Sequence, residues 1–143
     1  MERIGIEFSG GKKSIKLVKE LKKYNPIVFF CAHKGAEGII PLMKRWAELE
    51  GVRLVIVRSK RKDYYQRFDG TDHETEDGRR VYLVNRYYSP CLRAAKRYSI
   101  DILYNGRRRS DHPMLRDLVL PDKLYWHTIE IRFPYWNVKR LKG

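Results

Sequence analysis

The stretch RIGIEFSGGKKSIKLVKEL, residues 3–21, passes from alternating apolar residues through a glycine pair into a lysine-studded segment. Ile4, Ile6 and Phe8 have the period of a strand, and SGGKKS has the composition of a turn. Leu17, Val18, Leu21 and Tyr24 then recur on one side of a helix predicted over 15–23, with Lys16, Lys19, Lys22 and Lys23 filling much of the rest. The same unit comes again. Pro26 opens PIVFFCA, a continuous apolar run of the kind buried on both faces of a sheet. A helix predicted over 37–50 turns Ile39, Ile40, Met43, Trp46, Ala47 and Leu49 inward and ends at Gly51, and VRLVIV supplies a third strand. Strand–helix–strand–helix–strand with turns of a few residues predicts an α/β fold: a three-layer α/β/α arrangement, helices on both faces of a mostly parallel sheet.

Beyond the third strand, residues 58–80 carry dense charge of both signs with little periodicity and are expected as a long excursion. In SPCLRAAKRYS, Ser89 suits an N-cap and Pro90 the first helical position, with Leu92, Ala95 and Tyr98 on the inner face. DILYNG reads as a fourth strand and leads into the basic loop GRRRSDHP. KLYWHTIEIRF, which contains His127, alternates as an edge strand and brings the expected sheet to about five strands. With 143 residues, the chain is expected to form one domain over 1–143.

A hydrophobic fraction of 43% with 13% aromatic residues separates the chain from disordered compositions. No run approaches the roughly 18 apolar residues of a membrane helix. MERIGIEF enters a strand at once, so no signal peptide is expected. Two cysteines, Cys31 and Cys91, are too few for a disulfide scaffold, which points to a reducing, cytoplasmic setting. A net charge of +14 predicts an anionic partner: a nucleotide, a nucleic acid or an acidic surface. Thermophile proteins are also rich in charge and poor in amides, and Gln66 is the chain's single glutamine, so heat adaptation is a competing reading of part of this charge.

A glycine turn between a parallel strand and a helix directs backbone N–H groups toward an anion, at the positive end of the helix dipole. Gly10 and Gly11 allow close approach, Ser9 and Ser14 offer hydroxyls, and Lys12 and Lys13 supply charge. The spacing fits neither G-x-x-x-x-G-K-[ST] nor G-x-G-x-x-G. The loop resembles the S-G-G-x-D-S loop of the ATP pyrophosphatase (PP-loop) superfamily, with Lys13 in the place of the aspartate. Further segments resemble the PAPS reductase-like branch of that group in the same order along the chain. They are HKGAE, through Gly35 and Glu37; SPCLRAAKR; YNGRRRSDHP, through Gly106, Arg108, Asp111 and Pro113, with His112 in a serine's place and Arg116 nearby; and FPYWNVKRL, through Pro134, Trp136 and Val138.

The resemblance implies a Rossmann-like sheet of five strands and an adenine nucleotide, ATP or a sulfonucleotide (PAPS or APS), as ligand. Its phosphates would lie on Ser9, Gly10, Gly11, Lys12, Lys13 and Ser14, with Gly35, Gly106, Arg108, Arg109, His112 and Arg116 around them. Arginine suits such a ligand because its planar fork donates two hydrogen bonds to one phosphate or sulfate. Lysine in place of an acid favours anion holding over magnesium-assisted chemistry. Two cysteines exclude a four-cysteine iron–sulfur cluster within the chain, and thiol-based reduction by this chain alone is not expected. Cys31 reads as core. Cys91, in the expected first turn of a helix amid arginines, is a candidate reactive thiol, and His112 a candidate proton carrier. Histidines 33, 73, 112 and 127 lack the spacing of a zinc site. The runs RSKRK (58–62) and GRRRS (106–110), with Tyr64, Tyr65, Tyr87 and Tyr88 near in sequence, suit an alternative: a basic module for RNA, such as tRNA, or for DNA. A second copy or a partner subunit that completes the site is compatible with either.

Overall fold

The structure, a computed structural model, describes residues 2–32, 36–58, 76–111 and 115–139, the side chains at 81, 82 and 84–89 excepted. Strand β1 (Ile4–Phe8), helix α1 (Lys12–Leu21), β2 (Ile27–Ala32), α2 (Ile40–Glu50) and β3 (Arg53–Arg58) follow one another as the sequence predicts. Helix α3 (Glu76–Arg97) then leads to β4 (Ile102–Tyr104), and a final pair, β5 (Leu124–Trp126) and β6 (Ile129–Arg132), completes the sheet. Strand order is β3-β2-β1-β4-β6-β5, parallel except for the antiparallel β5–β6 pair.

The continuous apolar run of β2 shows why the sheet is covered twice. Val28, Phe30 and Ala32 join Ile6 and Phe8 beneath Leu17 and Val18 of α1 and Ile40 of α2. Ile27 and Phe29 face the other way, into a cluster with Cys91, Leu92, Ala94 and Ala95 of α3 and with Leu103, Ile129 and Ile131. Phe8 stacks on Trp46 of α2, with ring centroids 4.5 Å apart. A third, smaller cluster of Leu83, Leu115, Leu118 and Trp136 fastens the last segment to the loop after β4. There the Trp136 indole N–H donates to the Leu118 carbonyl at 2.8 Å. Tyr135 donates its hydroxyl to Glu20 of α1 at 2.7 Å. Burial and this acidic partner push the phenol above its ordinary range.

Several expectations are corrected. The sheet has six strands, because KLYWHTIEIRF is a hairpin rather than one edge strand. Its second arm, β6, pairs with β4 inside the sheet, and His127 sits in the turn with φ 54°. Helix α1 starts at Lys12, three residues ahead of the predicted start, since Gly11 already serves as its N-cap. Ile39 and Leu49, expected inward, are exposed at 40% and 72%, as is Leu42 at 70%. Ser89 and Pro90 are not a helix start. They lie inside α3, which begins with Glu76 and Asp77 at its positive end and finishes on Lys96 and Arg97. The helix passes through Pro90, which lacks the N–H for one internal bond and whose ring crowds the carbonyl of the preceding turn. The excursion expected over 58–80 therefore gives way to helix by Glu76, and residues 59–75 lie outside the described part. Among the described residues, no helix is long and apolar enough to cross a membrane.

Replacing Trp136 with phenylalanine keeps the ring in its cluster but orphans the buried Leu118 carbonyl. Urea unfolding is expected to show a loss of about 1–3 kcal/mol.

Candidate functional site

Strands β2 and β4 lie on opposite sides of β1, so the chain leaves the carboxyl ends of β1 and β4 in opposite directions. A crevice opens at such a switch point in doubly wound sheets, and ligands bind there. A cleft of about 160 Å³ lies at this place, formed by Glu7, Ser9, Lys13 and Ser14 on one side and Asn105, Gly106 and Arg107 on the other.

The β1–α1 loop is held by its own hydroxyls. Ser9 Oγ accepts from the Gly11 N–H at 3.2 Å, and Ser14 Oγ donates to the Gly11 carbonyl at 3.0 Å. The two hydroxyls lie 3.2 Å apart. Gly10 takes φ +81°, a backbone region costly for any residue with a Cβ. The first intrahelical bond of α1 is Ile15 N–H to Gly11 O at 3.0 Å, which leaves the amides of Lys12, Lys13 and Ser14 ahead of it without intrahelical acceptors.

The facing wall is the exit of β4. Asn105 is 3% exposed, and both ends of its amide are used: Nδ2 donates to Glu7 and Oδ1 accepts from the Arg107 N–H at 2.7 Å. Gly106 passes so close to α1 that a Cβ there would meet the Lys13 carbonyl carbon and oxygen at 3.3 Å. Only three polar or charged residues are buried among those described, Ser14, Asn105 and Glu130, and the first two line this cleft.

Asp111 adjoins the cleft through Lys13. It accepts from Lys13 Nζ and, at 3.1 Å, from Arg108 Nη2. Burial opposes the charge on Asp111, but the hydrogen bonds from Lys13 and Arg108 prevail and hold its carboxyl below the ordinary value. The other arm of the Arg108 guanidinium donates to the Lys139 carbonyl at 3.1 Å.

The residues singled out from the sequence are thus divided. Ser9, Lys13, Ser14 and Gly106 line the cleft, Gly10 and Gly11 shape its loop, and Arg108 joins through Asp111. Lys12 is the exposed first residue of α1. Arg109 donates its backbone N–H to the Trp136 carbonyl at 3.0 Å, and its charge acts on Asp117, outside the cleft. Arg116 is exposed and is not among the cleft's lining residues. Gly35 and His112 lie outside the described residues, as do His33, His73, Tyr64 and Tyr65. Cys91 is corrected outright. It is fully buried in the middle of α3, where the Cys31 sulfur and the burial itself push its thiol well above the usual range. That is the opposite of an activated nucleophile.

Three cleft residues were missed: Glu7, Asn105 and Arg107. A carboxylate inside the apolar strand IGIEF and an asparagine directly after ILY were the available signals. Among the described residues, no group of three His, Cys, Asp or Glu side chains is placed to hold a metal ion. A larger hollow, of about 250 Å³, lies at the opposite end of the sheet, between Arg3, Tyr24, Asn25 and Arg53.

No protein-family model matches the sequence, and no curated protein does. Solved structures do share the fold. One is a phosphoadenylyl-sulfate (PAPS) reductase from Candida auris, determined as a phosphate complex, with TM-score 0.57 and 17% identity over 96% of this chain and 67% of that one. Another is a predicted subunit of tRNA methyltransferase from Methanocaldococcus jannaschii, with TM-score 0.55 and 21% identity over 96% of this chain and 70% of that one.

Asn105→Asp deletes the donor to Glu7 and sets a second carboxylate against it. Urea unfolding at pH 7 is expected to show a loss of about 2–4 kcal/mol, and Asn105→Ser a smaller one.

Proposed function

We propose that this chain is a diverged PP-loop protein of the PAPS reductase-like kind, which holds the phosphate or sulfate end of an adenine nucleotide, ATP or PAPS/APS, in the cleft between β1 and β4. The observation that carries the proposal is the convergence of SGGKKS, at the positive end of α1, with the buried Asn105 and the arginine loop across the switch point. Lys13 supplies a cation, the first amides of α1 supply donors, and Arg108 supplies a fork that fits two oxygens of one anion. The shared fold of a PAPS reductase determined with phosphate supports the reading. A hollow of about 320 Å³ between Tyr104, Arg132, Phe133 and Asn137 would give room for a second reactant.

Magnesium, which PP-loop chemistry implies, is poorly served by these residues. A lysine stands where the resemblance puts an aspartate, and Asp111 is already bonded to two cations. Anion holding is therefore the proposed activity, and no step is assigned to a metal. A second reading, binding of RNA or DNA, rests on the charge of +14 and on a fold shared with a predicted subunit of tRNA methyltransferase.

Calorimetric titration with ATP, PAPS and a short RNA at two salt concentrations separates the two. The proposal predicts saturable one-to-one nucleotide binding, weakened about tenfold or more in Lys13→Ala while that variant still unfolds cooperatively. Equal affinity of Lys13→Ala and the parent for every nucleotide would sink it. Binding only to RNA, falling steeply with salt, would favour the second reading.

A further inference from the structure

Asp111 holds the two cations best placed to hold a ligand's anion, and this has a consequence for how the site fills. Lys13 lines the cleft and Arg108 adjoins it, yet both hydrogen-bond to the same carboxylate, one to each oxygen. The Arg108 backbone N–H also approaches Asp111 Oδ2, at 3.4 Å. A carboxylate bonded by an ammonium and a guanidinium presents two oxygens as a phosphate does. Asp111 ends the short turn Arg109–Asp111, directly after Arg108, which adjoins the cleft.

We infer that Asp111 is an internal competitor: its carboxylate occupies the anion seat between Lys13 and Arg108, and an incoming phosphate or sulfate binds by displacing it. This rests on the anion-binding reading above and adds a threshold to it. A weakly charged ligand cannot take both cations from Asp111, whereas a polyanion that also engages the α1 amides can. Asp111 thereby selects for ligands with clustered negative charge and keeps the seat from single carboxylates and chloride. The pairing also answers the lysine at position 13, whose ammonium would otherwise face Arg108 with no anion between them.

The test uses pyrophosphate as the probe, with the parent protein, Asp111→Asn, Asp111→Ala and Lys13→Ala, each checked for cooperative unfolding. Displacement predicts that both Asp111 variants bind pyrophosphate about ten- to hundredfold more tightly, and that chloride competes with them more strongly than with the parent. In the parent, carbon-detected NMR should show the Asp111 carboxyl pKa rising when pyrophosphate is added, because the carboxylate loses two cations and gains an anionic neighbour. If Asp111→Asn and Lys13→Ala both weaken binding, Asp111 orients the cations and the competitor role is overturned while the anion site stands. If magnesium tightens binding in the parent and Asp111→Asn abolishes the gain, Asp111 is a metal ligand and the inference fails again. If Lys13→Ala and both Asp111 variants match the parent, the anion site itself is wrong. An unmoved Asp111 pKa at saturating pyrophosphate overturns displacement even if no Asp111 variant folds.

Discussion

Pairing of β1 with β4 is the constraint on which the rest depends. The register Ile4↔Ile102, Gly5↔Leu103 and Ile6↔Tyr104 joins the first strand to one that arrives about a hundred residues later. Gly5 shows how tight that junction is. A Cβ there would lie 2.9 Å from the Phe29 ring, 3.1 Å from Leu103 and 3.2 Å from Ile100, so three side chains from three segments meet over a bare backbone. The chain runs outward from β1 through β2 to β3, then returns to the other side of β1. Two neighbouring parallel strands therefore release their loops in opposite directions, and a gap between those loops is unavoidable. SGGKKS fills one lip and NGRRRSD the other.

Packing fixes the gap's width. Gly106 runs against the Lys13 backbone, and Asn105 bridges Glu7 to the Arg107 amide. These contacts satisfy the buried Asn105 amide and the Arg107 backbone N–H, which would otherwise cost about 1–3 kcal/mol each. The site is thus rigid at its floor, where Ser14 and Asn105 are buried, and adjustable at its rim, where Lys13, Arg108 and Asp111 are more exposed ionic partners. An anion site needs both properties: a floor that keeps donors aimed, and a rim whose cations can change partners at little cost.

Much of this arrangement was legible in the sequence because apolar period and turn composition are local. Ile4–Phe8, PIVFFCA and VRLVIV announced three parallel strands, and SGGKKS announced the loop between the first strand and its helix. What escaped depended on distant partners. The hairpin in KLYWHTIEIRF has only His127 and Thr128 between its arms, neither of them glycine, so nothing local marks the turn. The early start of α3 was hidden by charge: Glu76, Asp77, Arg79 and Arg80 read as loop, yet in the structure they pair with one another and with Asp117. Pro90 looked like a beginning because a proline suits a first turn better than a helix interior. Cys91 inherited its supposed reactivity from that misplaced start.

The net charge of +14 is a poor guide to the cleft itself. Excess charge spread over a surface produces long-range attraction that salt screens within about 10 Å. At the cleft the balance is different, since Lys13 and Arg107 line it together with Glu7, and Asp111 beside it pairs with Lys13 and Arg108. Two carboxylates among three cations leave little local excess, so bulk attraction does not specify what binds there. Specificity must come from geometry: amides at the start of a helix, a guanidinium fork, and a carboxylate whose place an anion can take. A protein that only gathered polyanions would have no use for acids at its most organised point. On the proposed anion-binding reading, Glu7 and Asp111 would let the cleft choose among anions, with the surrounding charge bringing them near.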